Sequence, residues 1–299
     1  MKKIYLVAAV VFGSLIGSNL AKAEKSLTGK LLQKNIYNVS VSADGKMLAY
    51  IDNLELWTAS VDGKITKKIY GSKFSHPSWS PDGKKMAVLE NPGMNIYVID
   101  ADGNGPRHIT SKASEFGGLN WSPDGKRLIF IRDGSLMEVE DIRESKAKAI
   151  KLTDAVDLEP ESVRISPDGK HLAIKSSRQN EAGRYEYDLS VFQIDGRGRK
   201  NIYKGNKGLW LAGWAPDSRT IYFTIADTII EGDAISVNLK KSKIDRPKVV
   251  QVADIYGRDV IISRDGKKIF WLENLPQLPD QDAGYNDTGL MVSEMPKGK

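Results

Sequence analysis

The chain has 299 residues, 44 Lys and Arg against 38 Asp and Glu, a formal net charge of +6 and no cysteine. The missing cysteine excludes disulfides, a thiol nucleophile, a Cys-ligated metal and a lipid-bearing cysteine, so stability has to come from a packed core. Lys and Arg are spread along the sequence instead of forming runs, which excludes the electrostatic footprint of a nucleic-acid binder.

At the N-terminus Met1-Lys2-Lys3 precedes an apolar run from Ile4 to Ile16 and then small residues ending in Ala21-Lys22-Ala23. A basic start, an apolar stretch shorter than the roughly 20 residues that span a bilayer, and a small-x-small site predict a secretory leader over 1–23, cut before Glu24. Its removal takes Lys2, Lys3 and Lys22 and no acid, leaving a mature excess of three positive charges. No second apolar stretch of that length follows. The expected mature protein is therefore a monomeric domain over 24–299, periplasmic or secreted, with no transmembrane anchor.

Ser26 to Leu32 reads as a lone strand, and six repeats follow it. Each contains one copy of a turn: Ser42-Ala43-Asp44-Gly45-Lys46, Ser80-Pro81-Asp82-Gly83-Lys84, Ser122-Pro123-Asp124-Gly125-Lys126, Ser166-Pro167-Asp168-Gly169-Lys170, Ala215-Pro216-Asp217-Ser218-Arg219 and Ser263-Arg264-Asp265-Gly266-Lys267. The aspartates are separated by 38, 42, 44, 49 and 48 residues, the length of a four-stranded propeller blade. Pro presets φ, Asp bonds its own backbone and Gly accepts φ > 0, which makes this a hairpin turn.

Around each turn the pattern predicts a first strand ending in an aromatic or aliphatic residue, such as Trp79, Trp121 or Trp214. An apolar second strand follows the turn, and then a third strand. A fourth is predicted at Thr66–Tyr70, Arg107–Thr110, Ala149–Thr153, Lys200–Tyr203 and Lys248–Val252. The sixth repeat has none, and the strand at Ser26–Leu32 is expected to complete it. The predicted fold is an all-β, six-bladed propeller closed by its N-terminal strand, which leaves no long open sheet edge.

Trp79 to Lys84 and Trp121 to Lys126 resemble in full the Trp-Ser-Pro-Asp-Gly-Lys turn of the WD-like propeller repeats of the TolB family. The resemblance spans about 26–295 and implies the propeller fold. It also implies a periplasmic binding role in which proteins dock on the propeller and on an α/β domain that precedes it. Here Glu24 stands close before the first repeat, so the propeller is expected without that domain.

Propellers commonly bind ligands at the mouth, where the loops lead into the first strands and the second and third strands join. The repeated turns lie at the other end. On this geometry His76, Glu115, Glu159, Glu161, Trp210, Arg258 and Asp259 gather at the mouth. Their carboxylates, imidazole, guanidinium and indole suit a polar ligand, a cation or acid–base work. Long mouth loops are expected in blade four (Ser176–Asp188) and blade six (Glu273–Asn286), and their recognition residues would be Arg178, Tyr185, Tyr187 and Tyr285.

His108 and His171 read as scaffold, which leaves no three-His metal site. Asp100-Ala101-Asp102-Gly103-Asn104-Gly105 reads as a tight turn, because a calcium loop would need a distal Glu. No Gly-x-Ser-x-Gly elbow and no phosphate loop occurs. The leading expectation is a non-enzymatic scaffold with no cofactor that binds a protein or peptide in the cell envelope. The alternative is a lyase or lactonase acting on a carbohydrate or lactone, admitting calcium, with Glu115, Glu159, Glu161 or Asp259 as metal ligands or bases.

Overall fold

The computed structural model describes residues 29–296 except 35, 72, 91, 112, 114–117, 144–146, 151–158, 231–232 and 275–287. The leader therefore lies outside the described residues, as do Glu115 and Tyr285.

Strand β1 (Lys30–Lys34) stands before the first blade. Blade one holds β2 (Ile36–Val41), β3 (Met47–Asp52), β4 (Glu55–Ser60) and β5 (Thr66–Tyr70), and blade two holds β6 (Phe74–Trp79), β7 (Lys85–Glu90), β8 (Asn95–Asp100) and β9 (Arg107–Thr110). Blade three holds β10 (Asn120–Trp121), β11 (Leu128–Arg132), β12 (Ser135–Val139) and β13 (Ala147–Ala149). Blade four holds β14 (Pro160–Ile165), β15 (His171–Gln179), β16 (Tyr185–Gln193) and β17 (Lys200–Gly205). Blade five holds β18 (Leu209–Trp214), β19 (Thr220–Ile230), β20 (Asp233–Lys243) and β21 (Val250–Ile255), and blade six holds β22 (Arg258–Ile262), β23 (Lys268–Asn274) and β24 (Thr288–Glu294).

Each blade is an antiparallel sheet in chain order, and β1 pairs with β24 from Lys30 opposite Val292 to Lys34 opposite Gly289, giving the sixth blade its fourth strand. The all-β six-bladed propeller is thus the observed fold. The closing strand is seen at Lys30–Lys34 and the outer strand of blade three at Ala147–Ala149, while 26–28 and 151–153 of the predicted strands lie outside the described residues.

Alternation along each strand puts apolar side chains on both faces, so the core is divided into six wedges between neighbouring blades. Ala49, Ile51 and Leu56 of blade one meet Phe74, Met86 and Val88 of blade two. At the closing interface Ile36, Leu48 and Tyr50 meet Phe270, Leu272 and Leu290.

The repeated turn shows why its residue types recur. In blade two Ser80 Oγ donates to Asp82 Oδ1 at 2.6 Å and accepts from the Lys85 N–H at 2.9 Å, while Asp82 accepts from the Lys84 N–H at 3.0 Å and the Gly83 N–H reaches Ser80 O. Ser42, Ser122, Ser166 and Ser263 make the same pair of side-chain bonds. The serine hydrogen bond holds the carboxyls of Asp44, Asp82 and Asp124 below the usual carboxylate range.

Blade five has Ala215 in place of the serine, and Thr220 takes over: its N–H and its Oγ1 both donate to Asp217 at 2.8 Å. Ser218 replaces the glycine at φ +55°, and its Oγ accepts the Asp168 N–H of blade four at 3.0 Å. The Trp before the turn ties blades together. Trp121 Nε1 donates to Ser78 O of blade two at 3.0 Å, and Trp214 Nε1 to Arg164 O of blade four at 3.2 Å.

Candidate functional site

The inner strands run from the mouth to the repeated turns, and those of successive blades contact one another around the channel. At the turn end the turns of successive blades lie against one another. Gly125, Gly169 and Gly266 lie against the prolines of the preceding turns, Pro81, Pro123 and Pro216. Arg264 reaches from blade six to Pro167 O of blade four at 3.4 Å. Burial lowers the pKa of its guanidinium below the ordinary arginine value.

Toward the mouth the inner strands are bulged. Asn38 and Val39 together face Tyr50, His76 and Pro77 face Val88, and Asp259 and Val260 face Trp271, each pair without a one-to-one partner. The residue four positions before the turn Ser adopts left-handed backbone in four consecutive blades: Asp259 at φ +51°, Asn38 at +52°, His76 at +49° and Gly118 at +71°. Asn, Asp and His tolerate that region better than other side chains, yet each such residue costs about 1 kcal/mol or more. Bulges of this kind re-aim side chains. Here they bring Asn38 Nδ2 to 3.5 Å from His76 Nδ1, which also contacts Ser75 Oγ at 3.1 Å.

Glu161, Trp210 and Arg258 all sit five residues before the turn in blades four, five and six, where Tyr37 stands in blade one. Of the expected mouth residues, His76, Glu161, Trp210, Arg258 and Asp259 are thus inner-strand residues, while Glu159 stands just before β14. They do not form one carboxylate cluster. Glu161 accepts hydrogen bonds from Lys175 Nζ and Ser177 Oγ of its own blade. Glu159 borders a small cavity of about 40 Å³ with Ser176, Arg178, Glu186, Asp188 and Lys204. Asp259 is on blade six, and among the described residues no group of three or more His, Asp or Glu could hold a metal ion.

The long loop expected at Ser176–Asp188 is instead a strand extension: β15 and β16 stay paired to Gln179 opposite Tyr185. The short turn between them is held by Asn180, whose Oδ1 accepts the Ala182 and Arg184 N–H groups. Charged and polar residues dominate the segment and hid this period-2 strand, although Tyr187 packs against the core between blades four and five. Blade five, where no long segment was expected, carries the longer hairpin, with β19 and β20 paired to Ile230 opposite Asp233. In blade six β23 continues to Asn274, and the rest of the expected loop lies outside the described residues.

On the blade-four hairpin Tyr185 stacks on Tyr187 at 6.2 Å and Lys175 Nζ lies 5.3 Å above the Tyr187 ring. Arg178 pairs with Glu186 at 3.1 Å. Burial, helped by the Glu161 charge, pushes the Tyr187 hydroxyl up from its ordinary value. Tyr185 is 51% exposed, Trp210 41%, Tyr256 48% and Tyr37 38%. These are all the exposed aromatic residues among those described, and all four lie at the mouth end. Tyr37, Asn38 and Tyr256 were missed as candidates; counting back four and five residues from every turn would have found the first two.

His108 packs its ring edge on Tyr97 in the outer strand, and His171 lies 3.9 Å from Asp168 beside the Trp214 ring, both scaffold positions as expected. Residues 100–105 form the expected turn, with the Asp100 N–H on Asn104 O at 2.9 Å.

Among solved structures the chain is similar to a putative TolB from Agrobacterium tumefaciens, with 19% identity, 89% of this chain and 91% of that one covered, and a TM-score of 0.62. TolB from Acinetobacter baumannii gives 18% identity over 88% and 67% of the two chains at TM-score 0.56. An oligogalacturonate lyase in complex with manganese gives 13% over 87% and 74% at 0.56. At these identities the likeness concerns the fold. No curated protein matches the chain. The TolB beta propeller domain family, however, matches residues 31–223, most of the repeats described above, and the chain belongs to that family.

Proposed function

We propose that the protein is an exported, TolB-like binding scaffold of the cell envelope whose mouth face takes a protein or peptide, without catalysis of its own. The observation that carries this reading is the placement of the exposed aromatic residues Tyr37, Tyr185, Trp210 and Tyr256 together at the end of the propeller opposite the repeated turns. Exposed Tyr and Trp are costly to leave in water and are enriched at the centres of protein interfaces. Location in the envelope rests on the leader over 1–23.

Capture from an envelope extract by the mature protein tests the reading when it is run beside two variants. Trp210→Ala with Tyr185→Ala should lose the captured proteins, while Ile65→Ala, an exposed change at the turn end, should keep them. The same proteins recovered in the same yield from all three would overturn it. The lyase or lactonase alternative, with calcium, needs three or more oxygens of Glu115, Glu159, Glu161 and Asp259 in one coordination shell. The separate partners of Glu161 and the blade-four position of Glu159 favour the scaffold.

A further inference from the structure

Arg164 lies in the inner strand β14 between the buried Val163 and the partly buried Ile165, two residues before the turn. A side chain at Gly118 of blade three would begin 2.9 Å from Arg164 Nη1, so the guanidinium reaches back to the neighbouring blade. Gly118 is four residues before its own turn, which sets the guanidinium at the level of Asn38, His76 and Asp259. Gly118 thus leaves the space that Arg164 fills.

What distinguishes Arg164 is its poverty of partners. Nη1 donates to Val163 O at 2.9 Å, and no carboxylate among the described residues pairs with it. Of the other half-buried arginines, Arg127 has Glu138 at 3.2 Å and Arg199 has Asp188 at 3.2 Å, while Arg132 donates to Thr110 Oγ1 and Arg264 to Pro167 O. A guanidinium carries five N–H donors and stays charged at any physiological pH, so most of its donors are left for something else. Enclosing a cation without a counter-ion is costly, and burial indeed pulls Arg164 down from the ordinary arginine value.

The rest of the wall at its strand position adds no acid: Ser40, Ser78 and Asn120 stand in blades one to three, Gly213 and Ile261 in blades five and six. Toward the turns Arg264 extends a second guanidinium from blade six to Pro167 O of blade four. Arg164 and Arg264 thus place two guanidiniums among the inner strands and their turns, with Asp259 the acid at the level of the first.

We propose that the channel wall at Arg164 is a carboxylate-binding site, which receives an acidic side chain or a C-terminal carboxylate of the protein segment that docks on the mouth. This deepens the scaffold reading by naming the chemistry that enters the channel. Planar guanidinium and carboxylate match as a two-point fork, which suits a narrow channel.

The test is a titration of the mature protein at low ionic strength, followed by ligand NMR, with three blocked tripeptides: acetyl-Gly-Glu-Gly-amide, acetyl-Gly-Gly-Gly with a free C-terminus, and acetyl-Gly-Gln-Gly-amide. At least one carboxylate peptide should bind tenfold or more tighter than the glutamine peptide, and the stronger of the two identifies the source as side chain or terminus. Arg164→Gln should weaken that binding at least tenfold, and Arg197→Gln, at an exposed turn, should leave it unchanged. If Arg164→Gln does not fold by circular dichroism, Arg164→Lys carries the test, with an expected loss of threefold or more. Equal binding of the glutamine peptide, or an affinity within twofold of wild type in the Arg164 variant, would overturn the site. Because the peptides need no envelope partner, that result is independent of the capture experiment.

Discussion

Replacing Ser80 by Ala removes the one hydroxyl that is buried, at 3% exposure, beneath a turn otherwise at least partly exposed. Two bonds go with it: the donation to Asp82 at 2.6 Å and the acceptance from the Lys85 N–H at 2.9 Å. An orphaned buried N–H costs about 1–3 kcal/mol. The lost bond to the charged Asp82 adds less than its full value, because that carboxylate is exposed and turns to water. A total near 2 kcal/mol follows, or roughly 4–8 °C in Tm for a domain of this size. Blade five shows the compensation, since Ala215 is accompanied by Thr220, which donates to Asp217 twice. Lys85→Thr in the Ser80→Ala background should accordingly restore about 1 kcal/mol or more. The pair given up by Lys85, to Asp100 at 2.6 Å, is about half-exposed on both sides and contributes less than about 1 kcal/mol. Urea denaturation of wild type, both single variants and the double variant measures the coupling. A Ser80→Ala loss under about 0.5 kcal/mol, or no recovery on adding Lys85→Thr, would refute the account of the turn.

Trp121→Phe should destabilise by about 1–2 kcal/mol by stranding Ser78 O, and Trp57→Phe, whose Nε1 has no partner, should cost less; urea midpoints compare the two. Gly257→Ala should lose more than about 3 kcal/mol or fail to accumulate, since φ is +145° and the new methyl would meet Leu272 O and Trp271; soluble yield and thermal melting decide this. The turn aspartates titrate lower in the folded state than in the unfolded chain. Their contribution is complete above pH about 4 and is lost as pH falls toward the folded value, which for the similarly bonded Asp62 is about 2. Urea midpoints measured from pH 5 to 2.5 should therefore fall only below about pH 4, and a flat profile would contradict it.

The propeller was legible because its turn repeats with a fixed internal logic, and Asp, Gly and Pro announce a turn whatever surrounds them. The same letters hide what Ser and Trp contribute. Ser80 bonds Asp82 within its own turn, which the folded turn alone reveals, and Trp121 reaches Ser78 of another blade, which is visible only when the blades are side by side. The mouth was legible as an end of the molecule through His76, Glu161, Trp210, Arg258 and Asp259. Its arrangement was not, because the Asn38 contact to His76 depends on backbone bulges that no local pattern encodes. Arg164 escaped notice because a charged residue in a strand as mixed as Pro160–Ile165 reads as solvent-facing, and only the contact with Gly118 of the preceding blade shows where its guanidinium goes.

The pairing of β1 with β24 sets an order on assembly. Lys30 is among the first residues of the blades to be made and Val292 among the last, so the ring cannot lock while the chain is still being synthesised. Until then five blades hold two unprotected flanks, and the sixth lacks its outer strand. Such long-range pairing is intrinsically slow. The seam is consequently where the folded ring first opens, and hydrogen exchange at β1 and β24 should report that opening ahead of every other blade.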